Sequence, residues 1–152
     1  MTVFVGCVKN KKSYRTYATD LYDSTFFRKC LQYASSLTSD NIYILSAKYG
    51  LVQLNDIIEP YDKTLNNMSK KERLEWSQMV YNQMCNANID FNENTVWLCG
   101  SKYRADLLKY FPNSECPLEG MGIGKQLSFM TKELQKPENQ DAQITLNEEV
   151  LW

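Results

Sequence analysis

The residues best equipped for chemistry fall in one stretch, IYILSAKYGLVQLNDIIEPYD, residues 42–62. Ser46, Lys48 and Tyr49 follow an apolar run, and Glu59-Pro60-Tyr61-Asp62 closes the segment. Glu59 and Asp62 are the candidate acid–base pair, because two carboxylates in different surroundings can divide the acid and base roles. A salt bridge to Lys48 or a turn cap would use the same carboxylates equally well. The chain contains no histidine, which removes the commonest general base and the commonest metal ligand together. Chemistry here falls to carboxylates, lysines, tyrosines, hydroxyls or a cysteine. Cys7, Cys30, Cys85, Cys99 and Cys116 are widely spaced and never form C-x-x-C. They read as reduced thiols, mostly core packing, and no metal site or cofactor is expected.

These residues need elements to position them. Ile42-Tyr43-Ile44-Leu45 has the composition of a strand buried on both faces. The tail Val52–Ile58 is expected as a long excursion rather than a tight turn, and Pro60 forces Glu59 out of helical geometry. Thr2–Val8 is a second buried strand, followed by a polar loop in which Lys9, Lys11, Lys12 and Arg15 supply four cations. Such a loop suits an anion beyond a strand end, or is simply a solvated basic loop. Ser24 is the expected N-cap of a helix with apolar positions 26, 27, 30, 31 and 34. Ser69-Lys70-Lys71-Glu72 is a capping box opening a helix to Asn86, with Leu74, Trp76, Val80, Tyr81 and Met84 on its apolar face.

Thr95–Gly100 is a third strand, and Gly100-Ser101-Lys102-Tyr103-Arg104 leads into a helix through Leu107, Leu108 and Phe111, ended by Pro112. Parallel strands would bring the three polar junctions to one edge, where open α/β sheets bind ligands. Gly120, Gly122, Gly124 and Lys125 precede a last helix through Leu127, Met130 and Leu134. These glycines either expose backbone N–H groups to an anion or make a tight turn. Gln126 stands where a Walker A loop needs Ser or Thr, so the stretch is not that motif. The expected fold is α/β: a single three-layer domain with a mostly parallel central sheet flanked by helices, over residues 1–136. Residues 137–152 form a C-terminal extension whose apolar ends, Ile144–Leu146 and Val150–Trp152, suit packing on the domain or on a partner.

Hydrophobic residues make up 43% and charged residues 23% of 152 residues, the proportions of a folded domain. The net charge of −1 argues against non-specific duplex DNA binding. Neither a signal peptide nor a membrane-length apolar run is found, so a cytoplasmic protein without membrane attachment is expected.

Taken together, Gly6-Cys7 with Lys11, Leu21-Tyr22 with Ser24 and Phe27-Arg28, Ile44–Leu51, Glu59–Leu65, and Gly100 with Tyr103 resemble a bacterial and phage family of unassigned function. The match runs over roughly residues 3–130, and its most specific part is the pairing of S-A-K-Y-G-L with E-P-Y-D. That family is similar in outline to the peroxide-stress proteins and to a domain of the archaeosine-type tRNA-modifying enzymes. Through them it resembles the uracil-DNA glycosylase architecture. The resemblance implies a nucleotide or nucleobase ligand and N-glycosidic chemistry. On that reading Glu59 or Asp62 activates water or stabilises an oxocarbenium-like transition state. Cys7, Gly100 and Lys125 border the ligand, and Lys48 with Lys9 or Lys12 neutralises phosphate. Ser46 orients the substrate, while Tyr49, Tyr61 and Tyr103 stack on a base. The alternative is a module without chemistry. It would sequester a nucleotide signal, as phage-encoded proteins directed against host defence do, or would contact a protein partner; self-association stays open in either case.

Overall fold

The computed structural model describes residues 1–136. The 137–152 extension lies outside the described residues. Seven strands and five helices alternate in the order β1 (Thr2–Gly6), β2 (Thr16–Tyr17), α1 (Ala18–Leu21), α2 (Thr25–Leu37), β3 (Ile42–Ser46), β4 (Gly50–Gln53), β5 (Ile57–Ile58), α3 (Lys70–Asn86), β6 (Thr95–Leu98), α4 (Ser101–Arg104), β7 (Ser114–Glu115) and α5 (Ile123–Leu134) among the described residues. The main sheet has the order β4-β3-β1-β6-β7. It is parallel throughout except at its edge, where β4 runs antiparallel to β3. The fold is therefore α/β with a mostly parallel sheet. No described helix is long and apolar enough to cross a membrane.

Alternation along the strands builds two cores. Val3 pairs with Ile42 and Val96, and Val5 with Ile44 and Leu98. These six pack with Phe27, Cys30 and Ala34 of α2 and Met130 and Leu134 of α5. The intervening Phe4, Leu45 and Trp97 point the other way, into Trp76, Val80 and Met84 of α3 with Leu107 and Phe111. Consequently both faces of the central strands are apolar, which is why they read as continuous hydrophobic runs.

The helix caps are as their sequences demand. Ser24 Oγ accepts the Phe27 N–H at 2.9 Å, and Ser69 and Glu72 form a reciprocal capping box. Several boundaries differ from expectation. The segment 46–53 is a hairpin: β3 turns through Ala47-Lys48-Tyr49 into β4, with Ser46 opposite Gly50. Gly50 takes φ +75°, a left-handed conformation that glycine adopts without strain. Beyond it, β5 pairs with β2 in a separate two-stranded sheet, so the expected long excursion is mostly paired backbone. The expected helix through Leu107 and Phe111 is broken into α4 and a 3₁₀ turn at Leu108–Tyr110. A short strand, β7, follows Pro112 where none was read. Leu74, assigned to the apolar face of α3, is exposed.

Candidate functional site

The chain leaves β1 for β3 on one side, then crosses to β6 and β7 on the other. Its loops therefore part between the carboxyl ends of β1 and β6, the topological switch point at which open α/β sheets form their ligand crevices. A cleft of about 920 Å³ lies there. One wall is the loop after β1, with Cys7, Lys9 and Lys11; another is the junction after β6, with Gly100, Tyr103 and Arg104. Asp62, Lys63 and Thr64 enter from the segment after β5, Glu119 and Met121 from the approach to α5, and Gln126 from its first turn.

Hydrogen bonds explain how distant segments reach this edge. Ser46, at the end of β3, is fully buried. Its hydroxyl donates to the Tyr61 hydroxyl at 2.8 Å and accepts the backbone N–H groups of Lys48 and Tyr49 at 3.2 and 2.9 Å. The Tyr61 hydroxyl also lies 2.7 Å from that of Tyr22, which is buried under α2. The two sequence motifs around Ser46 and Tyr61 are thus tied to each other, and Asp62 follows Tyr61 into the cleft. On the opposite wall the Cys7 thiol donates to the Tyr103 hydroxyl at 3.4 Å, which in turn accepts the Leu65 N–H at 3.4 Å. Tyr103 thereby pins the 62–67 segment.

Lys11 is drawn inward by an antiparallel bridge between its backbone and that of Tyr22. Its ammonium stands 4.3 Å from the Tyr61 ring centroid and donates to the Lys9 carbonyl at 3.2 Å. Burial lowers its pKa, opposed by the charges of Cys7 and Asp62. Burial likewise pushes the phenols of Tyr22, Tyr61 and Tyr103 well above their ordinary range, and the neighbouring Cys7 adds to the effect. These three therefore act as neutral hydroxyls at physiological pH. No group of three or more His, Cys, Asp or Glu side chains suited to a metal ion occurs among the described residues.

Of the residues singled out from sequence, Cys7, Lys9, Asp62, Gly100 and Tyr103 line the cleft. Ser46 and Tyr61 stand behind its wall, joined to each other as described. Glu59 is elsewhere: it lines a shallow groove with Arg15, Tyr49 and Asp56. Tyr49 contacts Tyr61 edge-on at 5.7 Å and donates to the Glu59 carbonyl at 3.4 Å. Lys48 is exposed over the Tyr49 ring, and Lys12 lies by the Tyr14 ring. Lys125 is exposed in the first turn of α5 and does not line the cleft. Among the cleft residues that sequence reasoning did not select are Lys11, Lys63, Arg104 and Glu119. Lys11 had a signal, as the lysine of the G-C-x-x-x-K pattern; Arg104 had only its place in a strand-to-helix junction.

The family model described as a family of unknown function, DUF6884, matches residues 2–132. No curated protein and no solved structure matches the chain. The chain belongs to the DUF6884 family.

Proposed function

We propose that this chain binds a nucleoside or nucleotide in the cleft between β1 and β6 and hydrolyses its N-glycosidic bond, with Asp62 as the carboxylate that activates water. The observation that carries this reading is the convergence at the switch point of Asp62, the cations Lys9 and Lys11, and the aromatic rings of Phe26 and Tyr103. A base has faces for the rings, a ribose has hydroxyls for the carboxylate, and a phosphate has charge for the lysines. Two apolar cores on opposite faces of the sheet support a three-layer domain, the architecture in which such a crevice forms. The outline resemblance to the peroxide-stress proteins and the archaeosine-type enzymes points to the same ligand class.

Purified protein incubated with nucleosides, 5′-nucleotides and cyclic dinucleotides should release free base, read by chromatography and mass spectrometry. Asp62→Asn should lower the rate by about 10²–10⁴-fold, the usual worth of a positioned acid–base group. A second reading, binding without chemistry, is favoured by one observation. Glu59 does not line the cleft, and Glu119, the other carboxylate that does among the described residues, is paired with Arg104, so Asp62 lacks the Glu59 partner expected for a two-carboxylate mechanism. Ligand recovered intact from the denatured protein, with no base released, would decide for that second reading.

A further inference from the structure

We infer that Arg104 anchors an anion subsite in this cleft that takes a phosphate group, and that the Glu119 carboxylate is the group which phosphate displaces. Arg104 closes α4 and is only 7% exposed. Removing a guanidinium from water is costly unless opposite charge and hydrogen bonds compensate. What compensates here is incomplete. Nη1 donates to the Cys99 carbonyl at 2.7 Å, and Nη2 lies 3.5 Å from Glu119 Oε1. A carbonyl carries no net charge, and the Glu119 side chain is 71% exposed. A pair in which one partner is that exposed is a weak one.

The rest of the cleft sharpens the imbalance. Among the described residues, Lys9, Lys11, Lys63 and Arg104 face it against Asp62 and Glu119, four cations to two carboxylates. A guanidinium presents a rigid planar fork of donors that matches two oxygens of a phosphate. Exchanging one loosely held carboxylate for a doubly charged, two-pronged acceptor strengthens the contact with Arg104. It also returns to water a Glu119 side chain already mostly there. The inference rests on the proposed function for the remainder of the ligand and narrows its class: a nucleoside monophosphate rather than a free nucleoside or base.

Titration calorimetry on the full chain at low ionic strength tests this, with inorganic phosphate, adenosine and adenosine 5′-monophosphate as probes. Glu119→Gln should bind inorganic phosphate about two- to five-fold more tightly than wild type, the reciprocal of one weak ion pair removed. Arg104→Lys should weaken it at least about tenfold, because an ammonium lacks the fork. In wild type the monophosphate should bind at least about tenfold more tightly than adenosine, through those charge-assisted bonds. Should Arg104→Lys fail to fold, the exposed Glu119 substitution decides alone. Phosphate affinity that is undetectable, or not increased by Glu119→Gln, overturns the inference. Adenosine binding as well as its monophosphate also overturns it and leaves the nucleoside reading standing. Phosphate binding that responds to Glu119→Gln, with no binding of either adenosine compound, upholds the subsite and counts against the nucleotide reading.

Discussion

A phenol that donates and accepts inside a packed protein ties its neighbours' positions to its own, and Tyr61 does so at the root of the cleft. Its hydroxyl joins Ser46 at the end of β3 to Tyr22 under α2, and its ring carries the Lys11 ammonium. The position of Asp62, one residue on, depends on that arrangement. Tyr61→Phe keeps the ring and removes both hydroxyl bonds. It should lower unfolding free energy in urea by about 1–3 kcal/mol, since buried partners are left unsatisfied. If Asp62 activates water, the same change should reduce kcat more than it raises KM, because the carboxylate is misplaced rather than removed. Unchanged stability would show that the hydroxyl chain does not hold the motif.

At the scale of elements, side chains of α3 hold the β3–β4 hairpin: the Trp76 indole N–H donates to the Ser46 carbonyl at 3.0 Å, and Gln83 grips the turn. Gln83 accepts the Leu51 N–H at 2.8 Å and donates to the Tyr49 carbonyl at 3.0 Å, on either side of Gly50. A methyl group at Gly50 would meet the Gln83 amide oxygen, and φ +75° is strained for any residue with a Cβ. Gly50→Ala should therefore destabilise the chain by about 1–3 kcal/mol. Amide exchange should quicken first in β4; uniform acceleration instead would mean the hairpin is not an independent unit. Ser69→Ala, which removes the cap of α3, should cost about 1 kcal/mol in the same urea assay.

Across the whole molecule, the buried phenols set a response to alkali. The folded-state pKa values of Tyr22, Tyr61 and Tyr103 are raised above the ordinary 10.0, so above pH 10.0 the unfolded chain loses protons that the folded chain keeps. Stability is fully present below that pH and falls as pH rises through and beyond it. Lys11 works in the opposite sense: its lowered pKa makes stability rise with pH just below 10.5. The thiols of Cys30, Cys99 and Cys116, also raised by burial, add to the phenols against the one amine, so net loss is expected. Phenolate absorbance at 295 nm should show these three tyrosines ionising only as the far-ultraviolet circular dichroism collapses. Complete, reversible ionisation with the dichroism intact would contradict their burial.

Much of the fold was legible in the residues themselves, because its signals are local. Ser24 and Ser69 cap the helices they announce, and apolar runs mark β1, β3 and β6. Period and capping act over a few residues, so one chain suffices to read them. The candidate site was legible in part. Cys7 and Gly100 sit on junctions that a parallel sheet must bring to one edge, and the cleft is there. What escaped depends on pairing between distant segments. The β4 strand exists because Ser46–Tyr43 offers it partners, and Glu59 is carried to another groove by the pairing of β5 with β2. The deep burial of Arg104 follows from how α4 packs, which no spacing in G-S-K-Y-R reveals. The sequence by itself determined the order of β1, α2, β3, α3, β6 and α5 and the apolar faces they bury. Only the tertiary structure decided which polar side chains share the cleft, because that depends on hydrogen bonds and packing between residues far apart in the chain.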